Sequence, residues 1–143
     1  MNDAAAALAT ATTFVWLGMV LAISFMEAPL KFRAPGITLR LGLGIGRIVF
    51  RALNTAEIAL ALLLLIGVAL GDVSGVTTAL TAAVVGLLAV QLLGVRPPLN
   101  RRSDRVLAGE DHLPRSRMHH VYVALESVKV LVLVALGISL FAT

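Results

Sequence analysis

The chain has 143 residues, of which 59% are hydrophobic and only 14% are charged, and its net charge at pH 7 is +4. Soluble domains carry about 25% charged residues, so this composition excludes an ordinary soluble domain and indicates a membrane protein. The absence of cysteine excludes a disulfide framework and a thiolate nucleophile. The basic residues gather beside apolar segments, where they usually set membrane topology, so we expect no nucleic-acid partner.

Four segments are apolar and long enough to cross a bilayer as helices, for which about 20 residues suffice. Residues 4–26 and 73–95 contain no charge, and the second and fourth segments carry charges only in their first halves. We therefore predict an all-α integral membrane fold in a single domain, with spans at about 4–28, 45–70, 74–95 and 118–141. Small residues are expected at the helix contacts, and the candidates are Gly18, Ala22, Gly67, Gly86 and Gly137.

The first long connection, KFRAPGITLRLGLGIGR, contains a G-x-G-x-G pattern that is not the dinucleotide fingerprint and follows no strand. It predicts either a short interfacial or partly re-entrant element, in which glycines allow close backbone approach, or a flexible basic loop. The second long connection, RPPLNRRSDRVLAGEDHLPRSR, contains three prolines. It predicts a solvated loop with one helical turn at residues 103–107, which Ser103 caps.

The basic residues predict the orientation of the chain. Both long connections are rich in Arg and Lys, whereas the short turn GDVSG has no basic residue. The positive-inside rule therefore places the long connections in the cytoplasm and both termini outside, in a multi-pass protein of the bacterial inner membrane. The basic residues of the first connection are expected to bind anionic lipid headgroups, and they are Lys31, Arg33, Arg40, Arg47 and Arg51.

The chain also carries an internal repeat. The segment IVFRALNTAEI at 48–58 recurs as HVYVALESVKV at 120–130, and PLKFR is echoed by PLNRR. The two halves, 1–71 and 72–143, would each form a helical hairpin that enters and leaves the membrane in the same sense. This predicts a parallel repeat with an axis along the membrane normal.

Polar side chains form a stripe on the second span and another on the fourth, at helical spacing. The stripes consist of Arg47, Arg51, Asn54 and Glu57, and of His119, Tyr122, Glu126 and Lys129. Because an ionised side chain in lipid costs at least a few kcal/mol, such residues usually face the bundle interior and pair with one another. We expect Glu57 to pair with Lys129 across the repeat axis, with Glu126 competing for the same ammonium group.

Two interpretations of these charges stay open. In one, they form an interhelical network that only specifies assembly, as in a non-enzymatic accessory or scaffold subunit of a larger complex. In the other, Glu57 and Glu126 carry a proton or a cation and Lys129 is their counter-ion, as in a small transporter or channel-like protein that forms a homo-oligomer. The full candidate site for an ion, a proton or a ligand consists of Glu57, Glu126, Lys129, Asn54, Gln91, His119 and Glu27.

A lipid-binding or metal-binding protein is a third possibility. His119, Glu126 and Glu57 are the candidate metal ligands, although His119 and His120 point about 100° apart on a helix and cannot share one ion. We expect no cofactor and identify no catalytic residue, so a non-enzymatic function is favoured over a membrane enzyme.

The stretch SFMEAPLKFRAPGITLRLGLGIGR resembles one carried by small uncharacterised four-span bacterial membrane proteins. The resemblance implies four spans and includes Glu27 in the shared pattern, and it implies no particular activity.

Overall fold

The computed structural model describes residues 3–109 and 117–142, and nearly all of them are helical. The helices are α1 (Asp3–Arg33), α2 (Leu39–Leu70), α3 (Gly75–Leu107) and α4 (Arg117–Phe141). Each contains a segment that is long and apolar enough to cross a membrane. The prediction of an all-α multi-pass membrane protein with four spans is therefore confirmed.

The first long connection is mostly helical, so the expectation of a flexible basic loop was wrong, whereas an interfacial or partly re-entrant element stays a prediction. Gly36 has a φ of 79°, a conformation that glycine adopts most easily. The Thr38 hydroxyl then accepts a hydrogen bond from the backbone N–H of Leu41 at 3.1 Å and caps α2. The G-x-G-x-G segment consequently forms the first turns of α2, which begins at Leu39 rather than near Ile45.

The second long connection is also more helical than predicted. Residues 96–107 continue α3, and Pro97 and Pro98 follow directly after the π-helical segment Gln91–Val95, which interrupts the regular hydrogen-bond pattern of the helix. Ser103 lies inside this helix, so its predicted role as a cap was wrong. The remainder of the predicted loop, residues 110–116, lies outside the described residues.

The helices form a four-sided bundle. Helix α1 packs against α2 and α4, and α3 packs against the same two helices, so that α2 and α4 lie diagonally across the core. We call the end where α1 and α3 finish and α2 and α4 begin the basic end, and the opposite end the aliphatic end. Buried apolar side chains fill the bundle on its aliphatic side, among them Trp16, Leu64, Val84, Leu133 and Leu136.

Two of the predicted small contact residues lie at close helix contacts. A Cβ atom on Gly67 would lie 3.0 Å from the backbone of α1, and one on Gly137 would lie 2.7 Å from the ring of Phe14. The prediction was wrong for Gly18 and Gly86, because a Cβ on either would meet open space.

Two helices contain π-helical segments near their middles. In α1 the segment is Leu21–Glu27, and in α3 it is Gln91–Val95. Such segments are rare and frequently occur at functional sites, because the wider turn changes the direction of the side chains around it. Each segment contains a polar side chain that points into the bundle, Ser24 in α1 and Gln91 in α3.

Candidate functional site

A cluster of buried charges lies at the centre of the bundle. The Lys129 side chain is fully buried, and its Nζ forms an ion pair with Oε2 of Glu57 and another, at 2.6 Å, with Oε1 of Glu126. It also donates a hydrogen bond to Oε1 of Gln91 at 2.8 Å. The predicted pairing of Glu57 with Lys129, and the competition from Glu126, are both present.

Glu126 has the larger set of hydrogen-bond donors. Its Oε2 accepts a hydrogen bond from the Ser24 hydroxyl at 2.7 Å and another from the Tyr122 hydroxyl at 2.8 Å. Its Oε1 accepts one from Nε2 of Gln91 at 3.2 Å, in addition to the ion pair with Lys129. Both oxygens of this carboxylate are therefore engaged.

Glu57 is held on one side only. Its Oε2 accepts a hydrogen bond from Nε1 of Trp16 at 2.8 Å, besides the ion pair with Lys129. Its Oε1 is buried and has no hydrogen-bond partner among the described residues. An unpaired carboxylate oxygen in the interior is unfavourable, and it is also an available position for a proton.

The cluster is a shared feature of the whole bundle, because every helix contributes to it. Trp16 and Ser24 come from α1, Glu57 from α2 and Gln91 from α3. With one ammonium and two carboxylates, its formal charge is −1 when all three groups are ionised. A desolvated charge of this kind is maintained only by several hydrogen bonds and ion pairs acting together.

Three of the predicted site residues lie outside the cluster. Glu27 is half-buried and lies 3.8 Å from Nζ of Lys31, an ion pair near the end of α1. Asn54 lines a separate small cavity on the surface of α2 and α3. His119 is exposed at the rim of a larger cavity.

That larger cavity, which we call the basic cavity, opens at the basic end and has a volume of about 530 Å³. Glu126 and its partners Ser24 and Tyr122 line it, so the cavity reaches one side of the cluster. The cationic side chains that line it are Lys31, Arg47, Arg96 and Arg102, beside His119 at the rim. The cavity therefore carries a strongly positive lining above a single carboxylate.

The end of helix α1 packs closely against glycines in the first turns of α2. A Cβ on Gly42 would lie 2.1 Å from the ring of Phe32, and one on Gly46 would lie 2.8 Å from Nζ of Lys31. These glycines lie one helical turn apart and admit the end of α1 onto the face of α2. They thereby shape one wall of the basic cavity.

Arg96 lies over two neighbouring aromatic rings in this cavity. Its guanidinium carbon is 5.0 Å from the ring centre of Phe50 and 4.5 Å from that of Tyr122. Its Nε and Nη2 are buried and have no hydrogen-bond partner in the part of the chain that the structure describes. A guanidinium in this position is held by cation–π contacts and keeps donors without acceptors.

The five predicted headgroup residues all lie towards the basic end. Arg33 and Arg51 are exposed, and Lys31 lies over aromatic rings of the cavity wall. Arg47 instead forms an ion pair with Asp104, and Arg40 donates a hydrogen bond to the backbone of α3 at 2.6 Å. The latter two therefore join α2 to α3.

The predicted metal ligands do not converge. Among the described residues, no group of three or more His, Asp or Glu side chains could hold a metal ion. Glu57 and Glu126 share Lys129 instead, and His119 lies at the rim of the basic cavity.

Four residues of the site were not identified as such from the sequence. Tyr122 belongs to the polar stripe of the fourth span but was not included in the candidate site, and it is buried and hydrogen-bonded to Glu126. Trp16 offered a signal, because a buried indole N–H in an otherwise uncharged span needs an acceptor. Ser24 and Arg96 offered none; they lie in and directly after the π-helical segments of α1 and α3.

Comparison with models of protein families, with curated proteins and with solved structures found no match.

Proposed function

We propose that the protein is a small proton-linked membrane transporter, in which the central cluster exchanges a proton with the basic cavity. The observation that supports this is a carboxylate, Glu126, that belongs to a buried ion cluster and also lines a cavity open at one end of the bundle. Ionisable residues inside a membrane bundle usually serve such pathways. The positive lining opposes the entry of a metal cation, because it repels cations from bulk solution.

The cluster offers a simple way to accommodate an added proton. A proton on Glu126 would weaken its ion pair with Lys129, whose Nζ keeps Glu57 and Gln91 as partners. The free oxygen of Glu57 provides a second position for the proton. The same ammonium group therefore couples the two carboxylates.

The proposal needs a second state of the bundle or a second copy of the chain. On the aliphatic side of the cluster, the core is filled by buried side chains such as Leu64 and Leu133. A proton that reaches Glu126 therefore meets closed packing beyond it. We propose that a homo-oligomer or a rearrangement of α1 against α4 completes the path.

The parallel repeat, the cytoplasmic position of the basic end and the bacterial inner membrane are parts of the same proposal. Two contacts support the repeat, because each joins residues that the repeat makes equivalent. Glu57 pairs with Lys129, and the ring of Phe50 lies edge-on to that of Tyr122 at 6.0 Å. The π-helical segments of α1 and α3 also start within one residue of corresponding positions in the two halves.

Proton flux into liposomes tests the transport function. The protein is reconstituted with a pH-sensitive dye inside the vesicles, and a pH gradient is imposed. We expect the wild type to dissipate the gradient, whereas Glu126→Gln and Glu57→Gln do so much more slowly. Asp72→Asn, an exposed residue of the α2–α3 turn, is the matched control. Equal rates for all four proteins would refute the proposal.

A second candidate function is that of an accessory subunit whose buried charges only specify assembly. The observation that favours it is the near-complete pairing of Lys129, which has three acceptors. Exchanging the charges in Glu57→Lys with Lys129→Glu separates the two functions. If the pair is only structural, the exchanged protein should fold and the larger complex that it serves should keep full activity. If the pair exchanges a proton, the exchanged protein should fold but lose its proton flux.

A further inference from the structure

We infer that the basic cavity binds an amphiphilic anion, whose charged group contacts Arg96 and whose apolar chain lies against the bundle. This goes beyond the proposed function, and it holds whether or not the central cluster carries a proton. It rests on the charge, the geometry and the opening of the cavity.

The charge of the cavity selects an anion. Four cationic side chains line it, against one carboxylate, Glu126, which is already satisfied by its own donors. Arg47 is balanced by Asp104. Arg96 forms no ion pair with a described residue and keeps two buried nitrogens without acceptors. An oxyanion in the cavity would be neutralised by this guanidinium, which has no carboxylate partner among the described residues.

The rest of the cavity selects an apolar body. Phe25, Phe32, Leu39, Leu43 and Leu99 line it together with the basic residues. Its volume of about 530 Å³ falls within the range of about 300–1,000 Å³ that is typical of small-molecule sites. A bare inorganic ion would fill only part of this space and leave the apolar wall uncovered.

The cavity also opens towards the membrane. Phe25 of α1 and Val123 of α4 both line it, and their side chains are 40% and 42% exposed on the bundle surface. Both lie within the apolar spans and near their polar ends. A chain that leaves the cavity between α1 and α4 therefore enters the bilayer while its headgroup stays at the level of Arg96.

Binding of dodecyl phosphate to the protein in a neutral maltoside detergent tests the inference. The detergent supplies the same alkyl chain without charge, and inorganic phosphate supplies the charge without a chain. We expect saturable binding of dodecyl phosphate that Arg96→Gln weakens by at least about tenfold, the loss expected when a charge-assisted hydrogen bond is removed. Arg101→Gln, an exposed arginine of the same helix, should bind as the wild type does.

Two further variants cover the case in which Arg96→Gln does not fold. Arg96→Lys keeps the charge and loses the planar guanidinium, and Ala28→Phe fills the cavity without changing Arg96. Both should weaken binding. Equal binding by all variants, or competition by inorganic phosphate as strong as that by dodecyl phosphate, overturns the inference.

The source of the anion follows from mass spectrometry of the purified protein. An anionic phospholipid that the wild type retains and Arg96→Gln loses would identify the membrane as the source. A site that is empty after purification and still binds dodecyl phosphate would identify a free single-chain amphiphile. Retention of the same lipid by wild type and Arg96→Gln would count against the site.

Discussion

Replacing Lys129 by methionine should be among the most destabilising single substitutions in this protein. The change preserves the length and most of the volume of the side chain, but it removes the ammonium group that balances Glu57 and Glu126. Two carboxylates then remain in the interior, and Gln91 loses the donor to its Oε1. Removing one partner of a buried ion pair typically costs about 3–5 kcal/mol, so we expect the free energy of unfolding to fall by about that amount.

The free energy of unfolding is measurable in mixed micelles by titration with SDS or by steric trapping. Lys31→Met is the control, because Lys31 is the chain's other lysine. Its Nζ lies over the rings of Phe32 and Phe50, and it makes one long ion pair, with Glu27 at 3.8 Å. Such a pair contributes roughly 0–1 kcal/mol. Glu57→Leu in the Lys129→Met background should recover about 0.5–3 kcal/mol, since the two residues are in contact. A loss for Lys129→Met no larger than that for Lys31→Met would refute the account of the cluster.

Two other substitutions test the packing around the cluster. Gly67→Ala should lower the free energy of unfolding by about 1–3 kcal/mol, because its Cβ would crowd the backbone of α1. Gly86→Ala is the control and should be neutral or slightly stabilising, because a Cβ there faces open space. Equal effects of the two substitutions would contradict the close contact between Gly67 and α1. Trp16→Phe removes the hydrogen-bond donor to Glu57. It should lower the free energy of unfolding by about 1–3 kcal/mol in the wild type but by much less in a Glu57→Leu background. The same loss of stability in both backgrounds would exclude the hydrogen bond as its cause.

Much of the fold and part of the site could be predicted from the sequence. Apolar length identified the four spans, and helical spacing placed Glu57, Glu126 and Lys129 on faces that meet. Helix starts were less predictable, because the cap at Thr38 allows α2 to begin among glycines that resemble a loop. The prolines after Val95 favoured a loop, but α3 continues through them directly after the π-helical segment Gln91–Val95.

The lining of the basic cavity could not have been found from the sequence. Its walls combine the end of α1, the start of α2, the end of α3 and the start of α4, so no local pattern contains it. Arg96 looked like one of many basic residues at a membrane edge, where arginine usually reports topology. Only the positions of Phe50 and Tyr122, on two different helices, give this arginine its cation–π contacts.

Infrared difference spectroscopy of the protein in lipid, between neutral and acidic pH, tests most directly whether the central cluster exchanges a proton. Wild-type protein should develop a carboxylic-acid band on acidification, which is lost or shifted in Glu126→Gln or in Glu57→Gln and is unchanged in Asp72→Asn. The band should appear without loss of helical structure. A spectrum in which neither glutamate variant changes the band would show that the cluster stays fully ionised, and the accessory function would then replace transport.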